Sequence, residues 1–188
     1  MAKYENIRAL AKKQLQTVTE SSDRWKEFLR TAAIAYNYSF PNQLLIYAQN
    51  PTATAVADMD YWNKNAGRRV KRGAHGTAVF DTRANSPRLR YLFDISDTIP
   101  IHEISEALPW AVTDQNWKPV WDKIIVDNHA DSIQSALLMI STSYVAQRSA
   151  MFTTALEKAV DGSSLQWAKP NEQRRLFLQI VTQSCLYM

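Results

Sequence analysis

The chain has 188 residues, of which 46% are hydrophobic and 21% are charged, with a formal net charge of +4. This composition is typical of a folded globular protein and excludes an intrinsically disordered chain. A single cysteine, Cys185, excludes an internal disulfide, and no run of about 18 apolar residues is present to predict a membrane span. We therefore expect a cytoplasmic protein with no membrane partner.

Apolar side chains recur at helical spacing in the first part of the chain. Residues 4–19 and residues 23–37 each carry them three and four positions apart, which predicts two amphipathic helices. The segment SFPNQLLIYAQNP predicts a third, shorter helix, because a proline is placed in its first turn and another just after its end. DMDYWNKN predicts a further short helix, capped by the side chain of Asp58.

The hydrophobic period then changes to that of β-strands. RVKRGAHGTAVF predicts a strand, a glycine-containing turn and a second strand. RLRYLFDI alternates between two faces, one of which is formed by Leu89, Tyr91, Phe93 and Ile95. We therefore expect a small antiparallel sheet, from which several arginines project while the opposite faces of the strands pack on helices.

The last part of the chain has a helical period again. Residues 118–127, residues 131–160 and the closing segment PNEQRRLFLQIVTQSCLYM predict helices, with DGSS breaking the pattern before the last of them. The closing segment is still apolar where the sequence ends. This predicts further domains of a longer parent protein.

Together these elements predict an α+β fold. N-terminal helices are expected to pack on a small antiparallel sheet, followed by a C-terminal helical part. The chain becomes proline-punctuated near Pro100, and we place the domain boundary there. The first domain is assigned to residues 1–98 and the mostly helical extension to residues 99–188.

Charge is distributed unevenly along the chain. Residues 64–90 hold eight basic residues and one acid, a local net charge of +7, whereas residues 94–132 hold two basic residues and eight acids, a local net charge of −6. The positive field is therefore concentrated in the middle of the sequence, where a polyanion would be attracted.

The titratable residues form no recognisable catalytic or metal-binding pattern. His75, His102 and His129 have no second His or Cys at metal-ligand spacing. HEISE, which begins at His102, resembles the start of a metalloprotease helix but lacks the second histidine. Neither a phosphate-binding loop nor a dinucleotide fingerprint is present. We therefore expect no enzyme activity, no metal and no cofactor.

The strongest functional signal is GRRVKRGAHG, residues 67–76. Its glycines allow the main chain to approach a phosphate closely, and its arginines and lysine can supply charge-assisted hydrogen bonds. From these residues alone, a phosphate-binding track and a hairpin turn with a solvated charged rim both stay open. The aromatic residues upstream leave a similar choice between stacking on nucleobases and packing in the core, namely Tyr36, Tyr38, Phe40 and Tyr47.

Residues 39–81 resemble the N-terminal domain of the ArdC-type antirestriction proteins. They resemble more closely the versions that open large multidomain proteins of conjugative and other mobile elements. The features that carry the resemblance are Ser39, Asn42, Gln49, Pro51, Ala53 to Ala57, and Trp62 ahead of GRRVKRGAHG. The resemblance implies a single-stranded DNA-binding module. Full ArdC-type proteins carry a zinc metallopeptidase-like domain after it, but this sequence lacks the HExxH motif, so neither protease activity nor zinc is carried over.

We therefore expect a non-enzymatic single-stranded DNA-binding module of an antirestriction or conjugation-type protein. The residues expected to line a phosphate track are Arg68, Arg69, Lys71, Arg72 and His75. Those expected to shape this track or stack against it are Asn42, Tyr47 and Trp62. The alternative is a protein-interaction or structural domain, whose basic face docks an acidic partner or the acidic residues 94–132.

Overall fold

The computed structural model describes residues 2–84, 86–101 and 116–187. The chain divides into two units, residues 1–108 and residues 109–188. The first unit combines helices with two small antiparallel sheets, and the described part of the second unit is helical. The expected α+β class is therefore confirmed.

Four α-helices lie in the described part of the first unit: α1 (Ala2–Val18), α2 (Ser22–Ile34), α3 (Phe40–Gln49) and α4 (Met59–Lys64). The side chain of Asp58 caps α4, as predicted, by accepting a hydrogen bond from the backbone N–H of Tyr61 at 2.9 Å. Ser21 caps α2 in the same way, through the N–H of Arg24 at 3.3 Å. These caps fix where the two helices begin.

The described part of the first unit also contains five strands, the first of which lies between α3 and α4: β1 (Val56–Asp58), β2 (Arg68–Val70), β3 (Thr77–Phe80), β4 (Leu89–Asp94) and β5 (Thr98–Pro100). A three-stranded sheet has the order β1-β4-β3, and β2 pairs with β5 in a separate two-stranded sheet. The two strands of RVKRGAHGTAVF therefore do not form a hairpin with each other. β2 pairs instead with β5, where Arg69 lies opposite Ile99. β3 pairs with β4, where Ala78 lies opposite Tyr91.

The last three residues of the central strand β4, Leu92 to Asp94, are buried, whereas Tyr91 before them is exposed. Leu92 is fully buried with Leu45 and Ile46 of α3, and Phe93 packs with Trp62 of α4. Because adjacent side chains of a strand point to opposite faces, α3 and α4 cover opposite sides of the three-stranded sheet at this end of β4. The expected alternation of packed and exposed residues therefore does not hold there.

A further core cluster joins the first three helices. Its buried members are Val18, Phe28, Leu29, Ala32 and Leu44. Full burial of one large apolar side chain such as Phe28 contributes about 1.5–3 kcal/mol to stability. This cluster holds α1 and α2 against α3, which in turn packs on β3.

The described helices of the second unit are α5 (Trp117–Asp127), α6 (Ile133–Gln147), α7 (Ser149–Ala159) and α8 (Pro170–Tyr187). The run predicted over residues 131–160 is divided in two at Arg148. α6 packs against the three other helices and contributes the buried residues Ala136, Ser141 and Val145. Among the helices that the structure describes, none is long and apolar enough to cross a membrane.

The assignment of the first domain to residues 1–98 stays a prediction, and one contact bears on it. Residue 98 is the first residue of β5, and β5 pairs with β2 over its three residues. The predicted boundary after residue 98 therefore falls within β5. The HEISE motif and most of the proline-punctuated stretch lie outside the described residues.

Candidate nucleic-acid interface

The basic segment, residues 67–76, contains strand β2, and β5 pairs with this strand. The backbone N–H of Lys71 donates to the carbonyl of Asp97 at 2.9 Å, and the N–H of Ile101 donates to the carbonyl of Gly67 at 2.8 Å. Gly67 has a φ of +61°, which lies in the left-handed region that glycine adopts without strain. These bonds flank β2 on both sides and fix its position.

A tight turn follows β2 and places Arg72 at its tip. The N–H of Ala74 donates to the carbonyl of Lys71 at 3.2 Å, which closes a four-residue β-turn. Gly73 occupies the third position with a φ of +84°, as a type II turn requires. A Cβ at Gly73 would meet nothing within 4 Å, so glycine is needed there for its backbone conformation and not for space.

The cations of the basic segment divide into two groups. Arg68 is half-buried and its Nε donates to Oγ1 of Thr98 at 2.7 Å, while Nζ of Lys71 donates to the carbonyl of Ser96 at 2.7 Å. These two cations therefore also hold β2 to the β5 region.

The second group is exposed. Arg69 and Arg72 form no ion pair and no side-chain hydrogen bond within the described parts of the chain. His75 is exposed as well. The two arginines are therefore the members of the segment that are most available to an external anion, and a guanidinium binds phosphate with two parallel hydrogen bonds.

A pocket of about 320 Å³, here called the basic pocket, lies against this segment. Its wall combines the main chain and side chains of residues 69–74 with Met59, Asn63 and Phe93. The wall of the pocket thus combines positively charged side chains with the apolar side chains of Met59 and Phe93.

A second pocket of about 440 Å³, here called the mixed pocket, adjoins it. It is lined by Asp58, Met59, Asp60, Asp81, Arg83, Arg90, Tyr91 and Phe93. Met59 and Phe93 line both pockets, so the two pockets lie on neighbouring parts of the first unit. Tyr91 is 39% exposed, and Nζ of Lys3 lies 5.0 Å from the centre of its ring.

Asp58 lies close to both arginines that line the mixed pocket. Besides capping α4, its carboxylate lies 3.6 Å from the guanidinium of Arg90 and 3.8 Å from that of Arg83. The Arg90 guanidinium also lies 5.4 Å from the centre of the Tyr38 ring. Burial raises the pKa of the Tyr38 phenol, and the charge of Arg90 opposes that shift in part. Tyr38 therefore stays protonated and donates to the carbonyl of Val56 at 3.0 Å.

Two of the residues expected to shape the phosphate track or stack against it, Trp62 and Asn42, are core residues. Trp62 is 1% exposed and its Nε1 donates to the carbonyl of Phe93 at 2.9 Å, so neither face of the indole is open to a base. Asn42 is 2% exposed, and its side chain is bonded to the main chain of Phe80. Both residues shape the site only through the fold.

Tyr47 is also placed away from the basic segment. It packs in the cluster formed by α1, α2 and α3, with its ring 6.0 Å from that of Phe28, and its hydroxyl donates to Glu27 at 3.0 Å. Burial raises the pKa of Tyr47, and the hydrogen bond to Glu27 adds to the shift. The upstream aromatic residue expected to stack on bases thus belongs to the packing between helices.

The structure brings into the site three residues that the sequence did not single out, Asp81, Arg83 and Tyr91. Tyr91 shares the strand face of Phe93, and only the later residue is covered by α4. In the sequence, Tyr91 is an aromatic residue near the start of a predicted strand, and it follows Arg88 and Arg90. It could not be interpreted without knowing which end of the strand α4 covers.

Comparison of the chain with protein-family models, curated proteins and solved structures finds no match. The chemistry of the site therefore has to follow from its own residues. Among the described residues, no group of three His, Cys, Asp or Glu side chains could hold a metal ion. The basic pocket is lined by the exposed guanidinium groups of Arg69 and Arg72. The mixed pocket is lined by an aromatic ring, two further arginines and carboxylates. This arrangement suits binding of a ligand that carries both phosphates and polar rings.

Proposed function

We propose that the first unit is a single-stranded DNA-binding module of an antirestriction or conjugation-type protein of a mobile element. The basic segment binds phosphates of the strand, and the mixed pocket receives an unpaired base beside Tyr91. The module carries out no catalytic step by itself and acts in the cytoplasm. The observation that carries the proposal is that the two pockets share Met59 and Phe93 in their walls, which brings the basic segment and Tyr91 to neighbouring parts of the first unit.

The phosphate half of the proposal is supported by the uncommitted arginines. Arg69 and Arg72 are exposed and have no ionic partner in the described part of the chain. Lys71 is exposed too, although its ammonium already bonds one carbonyl. Such cations attract a polyanion and release its condensed counterions on contact, which makes binding strongly dependent on salt.

The preference for single strands is supported by the shape of the mixed pocket. Its volume of about 440 Å³ is within the range of pockets that hold small organic ligands. A base can enter such a pocket only when it is unpaired and free to leave its stack. In a duplex the phosphates would still meet the basic segment, but no base would reach Tyr91.

A titration of the full chain with fluorescein-labelled DNA tests the proposal. Fluorescence anisotropy would compare a mixed-sequence single strand with a duplex of equal length, each at several salt concentrations. We expect tighter binding of the single strand and a log–log salt slope of about −0.7 for each phosphate contacted. Equal or tighter binding of the duplex would contradict the proposal.

The alternative function is docking of an acidic protein partner on the same basic face. The titration separates the two, because poly-glutamate carries negative charge but no bases. If poly-glutamate competes as well as a single strand of equal charge, the basic segment serves a protein partner and the mixed pocket plays no part in binding.

A further inference from the structure

The mixed pocket contains hydrogen-bonding groups that a nonspecific strand-binding surface does not need. We propose that it is a base-specific subsite for guanine, with Asp81 and Arg83 as the groups that recognise the base. This inference rests on the proposed function, since it assigns one base of the bound strand to one pocket of the same surface.

Asp81 is the carboxylate of the pocket that is most available to a ligand. Asp58 is engaged by two arginines and by the N–H of Tyr61, and Asp60 lies 3.5 Å from the ammonium of Lys64. Asp81 accepts one hydrogen bond, from the backbone N–H of Arg83 at 3.1 Å, and forms no ion pair with any described residue. A carboxylate has lone pairs for about four hydrogen bonds, so Asp81 retains most of its accepting capacity.

Arg83 supplies a donor two residues further along the same turn. Its side chain is 74% exposed, and its guanidinium approaches Asp58 only to 3.8 Å. An exposed pair at this separation contributes little and can be exchanged for a ligand contact. The segment after β3 therefore contributes an accepting carboxylate and a donating guanidinium, two residues apart, to the lining of the same pocket.

The walls of the pocket provide the surface on which a base can stack. Tyr91 is 39% exposed and Met59 is 49% exposed, while Phe93 is almost buried and closes the floor. An aromatic ring and a thioether both make favourable contacts with the face of a flat heterocycle. A base held there leaves its polar edge facing Asp81 and Arg83.

Guanine is the base whose polar edge matches these two groups. Its N1–H and N2–H are adjacent donors that can bind one carboxylate with two parallel hydrogen bonds, and its O6 and N7 accept from a guanidinium. Adenine and cytosine have a ring-nitrogen acceptor in the place of N1–H, and thymine flanks its N–H with two carbonyl oxygens. Each of these bases would bring lone pairs against the carboxylate of Asp81.

The adjoining basic pocket gives the nucleotide a place for its phosphate. Because Met59 and Phe93 line both pockets, a nucleotide with its base in the mixed pocket can place its phosphate toward Arg69 and Arg72 in the basic pocket. The base and the backbone are then recognised by different groups, so base preference and overall affinity can be changed separately.

The test uses the full chain and a set of fluorescein-labelled nonamers of thymine with a single variable base in the centre. We expect the nonamer with central guanine to bind about fivefold or more tightly than those with central adenine, cytosine or thymine. Hypoxanthine, which keeps N1–H and O6 but lacks the N2 amine, should lie between guanine and adenine. Equal affinity for all five nonamers would overturn the inference and leave the proposed function standing.

Two variants, each of which removes one negative charge, test whether the preference for guanine depends on Asp81. Asp81→Asn should abolish the preference for guanine, so that all five nonamers bind with similar affinity. Asp23→Asn, on α2, removes the same charge at an exposed position and should retain the preference. A guanine preference that survives Asp81→Asn overturns the assignment to this pocket, and absence of binding to every nonamer overturns the proposed function together with the inference.

Discussion

The side-chain amide of Asn42 forms two hydrogen bonds with the main chain of Phe80. Its Nδ2 donates to the carbonyl and its Oδ1 accepts from the N–H, each at 2.9 Å. Gln49, two helical turns later in α3, makes the same pair of bonds with Ala78, at 2.9 and 3.0 Å. Because β3 is an edge strand, these amides satisfy backbone groups on the side away from β4 and protect that edge. Asn42 and Gln49 thus attach α3 to the sheet.

Asn42→Ala should destabilise the first unit without a specific effect on DNA binding. Asn42 is buried, and the change leaves the N–H and the carbonyl of Phe80 without the partner that it supplies. Each unsatisfied group costs up to about 3 kcal/mol. Urea denaturation would measure the loss, with Asn37→Ala in the exposed turn after α2 as the matched control. A variant that unfolds like the parent yet no longer binds DNA would show that Asn42 contacts the ligand instead.

Replacing both Arg69 and Arg72 by alanine should weaken DNA binding and leave stability nearly unchanged. Neither side chain has an ionic partner among the described residues, so folding loses little. The log–log salt slope should become shallower by up to about 1.4 units, since two phosphate contacts are removed. The matched control removes two exposed arginines from α8, Arg174 and Arg175. If both double variants bind alike, the basic segment is not the phosphate-binding surface.

Tyr91→Leu should reduce the affinity for single strands and leave the affinity for duplex DNA unchanged. Stacking of one base on an aromatic side chain contributes about 1–3 kcal/mol, and leucine removes the ring while retaining an apolar contact. Anisotropy titrations with both forms of DNA would measure the difference. Tyr36→Leu replaces the more exposed tyrosine after α2 and serves as the control. An equal loss for both forms of DNA would argue against stacking on Tyr91.

Asp94 should make the stability of the first unit dependent on pH in the acid range. Its carboxylate is 3% exposed and accepts bonds from the backbone N–H groups of Thr54 at 2.7 Å, Ala55 at 3.0 Å and Ser96 at 3.0 Å. Burial acts to raise its pKa, but the bonds from Ser96, Ala55 and Thr54 outweigh burial and lower the pKa. The stabilisation is therefore complete above the unfolded pKa of about 3.9 and is lost as the pH falls through the folded pKa.

Asp94→Asn should consequently lower the free energy of unfolding more at pH 7 than at pH 3. Asparagine keeps one acceptor oxygen but removes the charge and directs an amide at backbone donors, at a cost of about 1–3 kcal/mol at pH 7. Urea denaturation of parent and variant at both pH values measures the difference. Asp23→Asn is exposed and should show no such change. A penalty that is the same at both pH values would mean that folding does not lower the pKa of Asp94.

The helices of the first unit could be predicted from the sequence because their signals are local. The cap at Asp58 and the prolines around α3 act within one or two turns of the backbone they terminate. The pairing of β2 with β5 could not be predicted, because it depends on Arg69 meeting Ile99 across thirty residues of chain. Strand identity is a local property, whereas the choice of partner strand is decided by the packing of the whole unit.

The site was predicted in part for a similar reason. Like charges at Arg69 and Arg72 are costly to bury, so their exposure could be anticipated from composition. Trp62 carries the same chemical capacity for stacking as Tyr91, and only tertiary packing decides that the indole is enclosed while the phenol ring stays accessible. Aromatic residues are therefore the part of such an interface that a sequence alone leaves open.

Gly76 limits how this surface could change during evolution. A Cβ at this position would lie 2.9 Å from Cβ of Tyr91 and 3.1 Å from the ring of Phe93, so the backbone at the end of the basic segment is in direct contact with the strand that carries Tyr91. Any larger residue at position 76 would therefore push the basic segment and that strand apart. A single substitution there would disturb the charged and the aromatic part of the surface together.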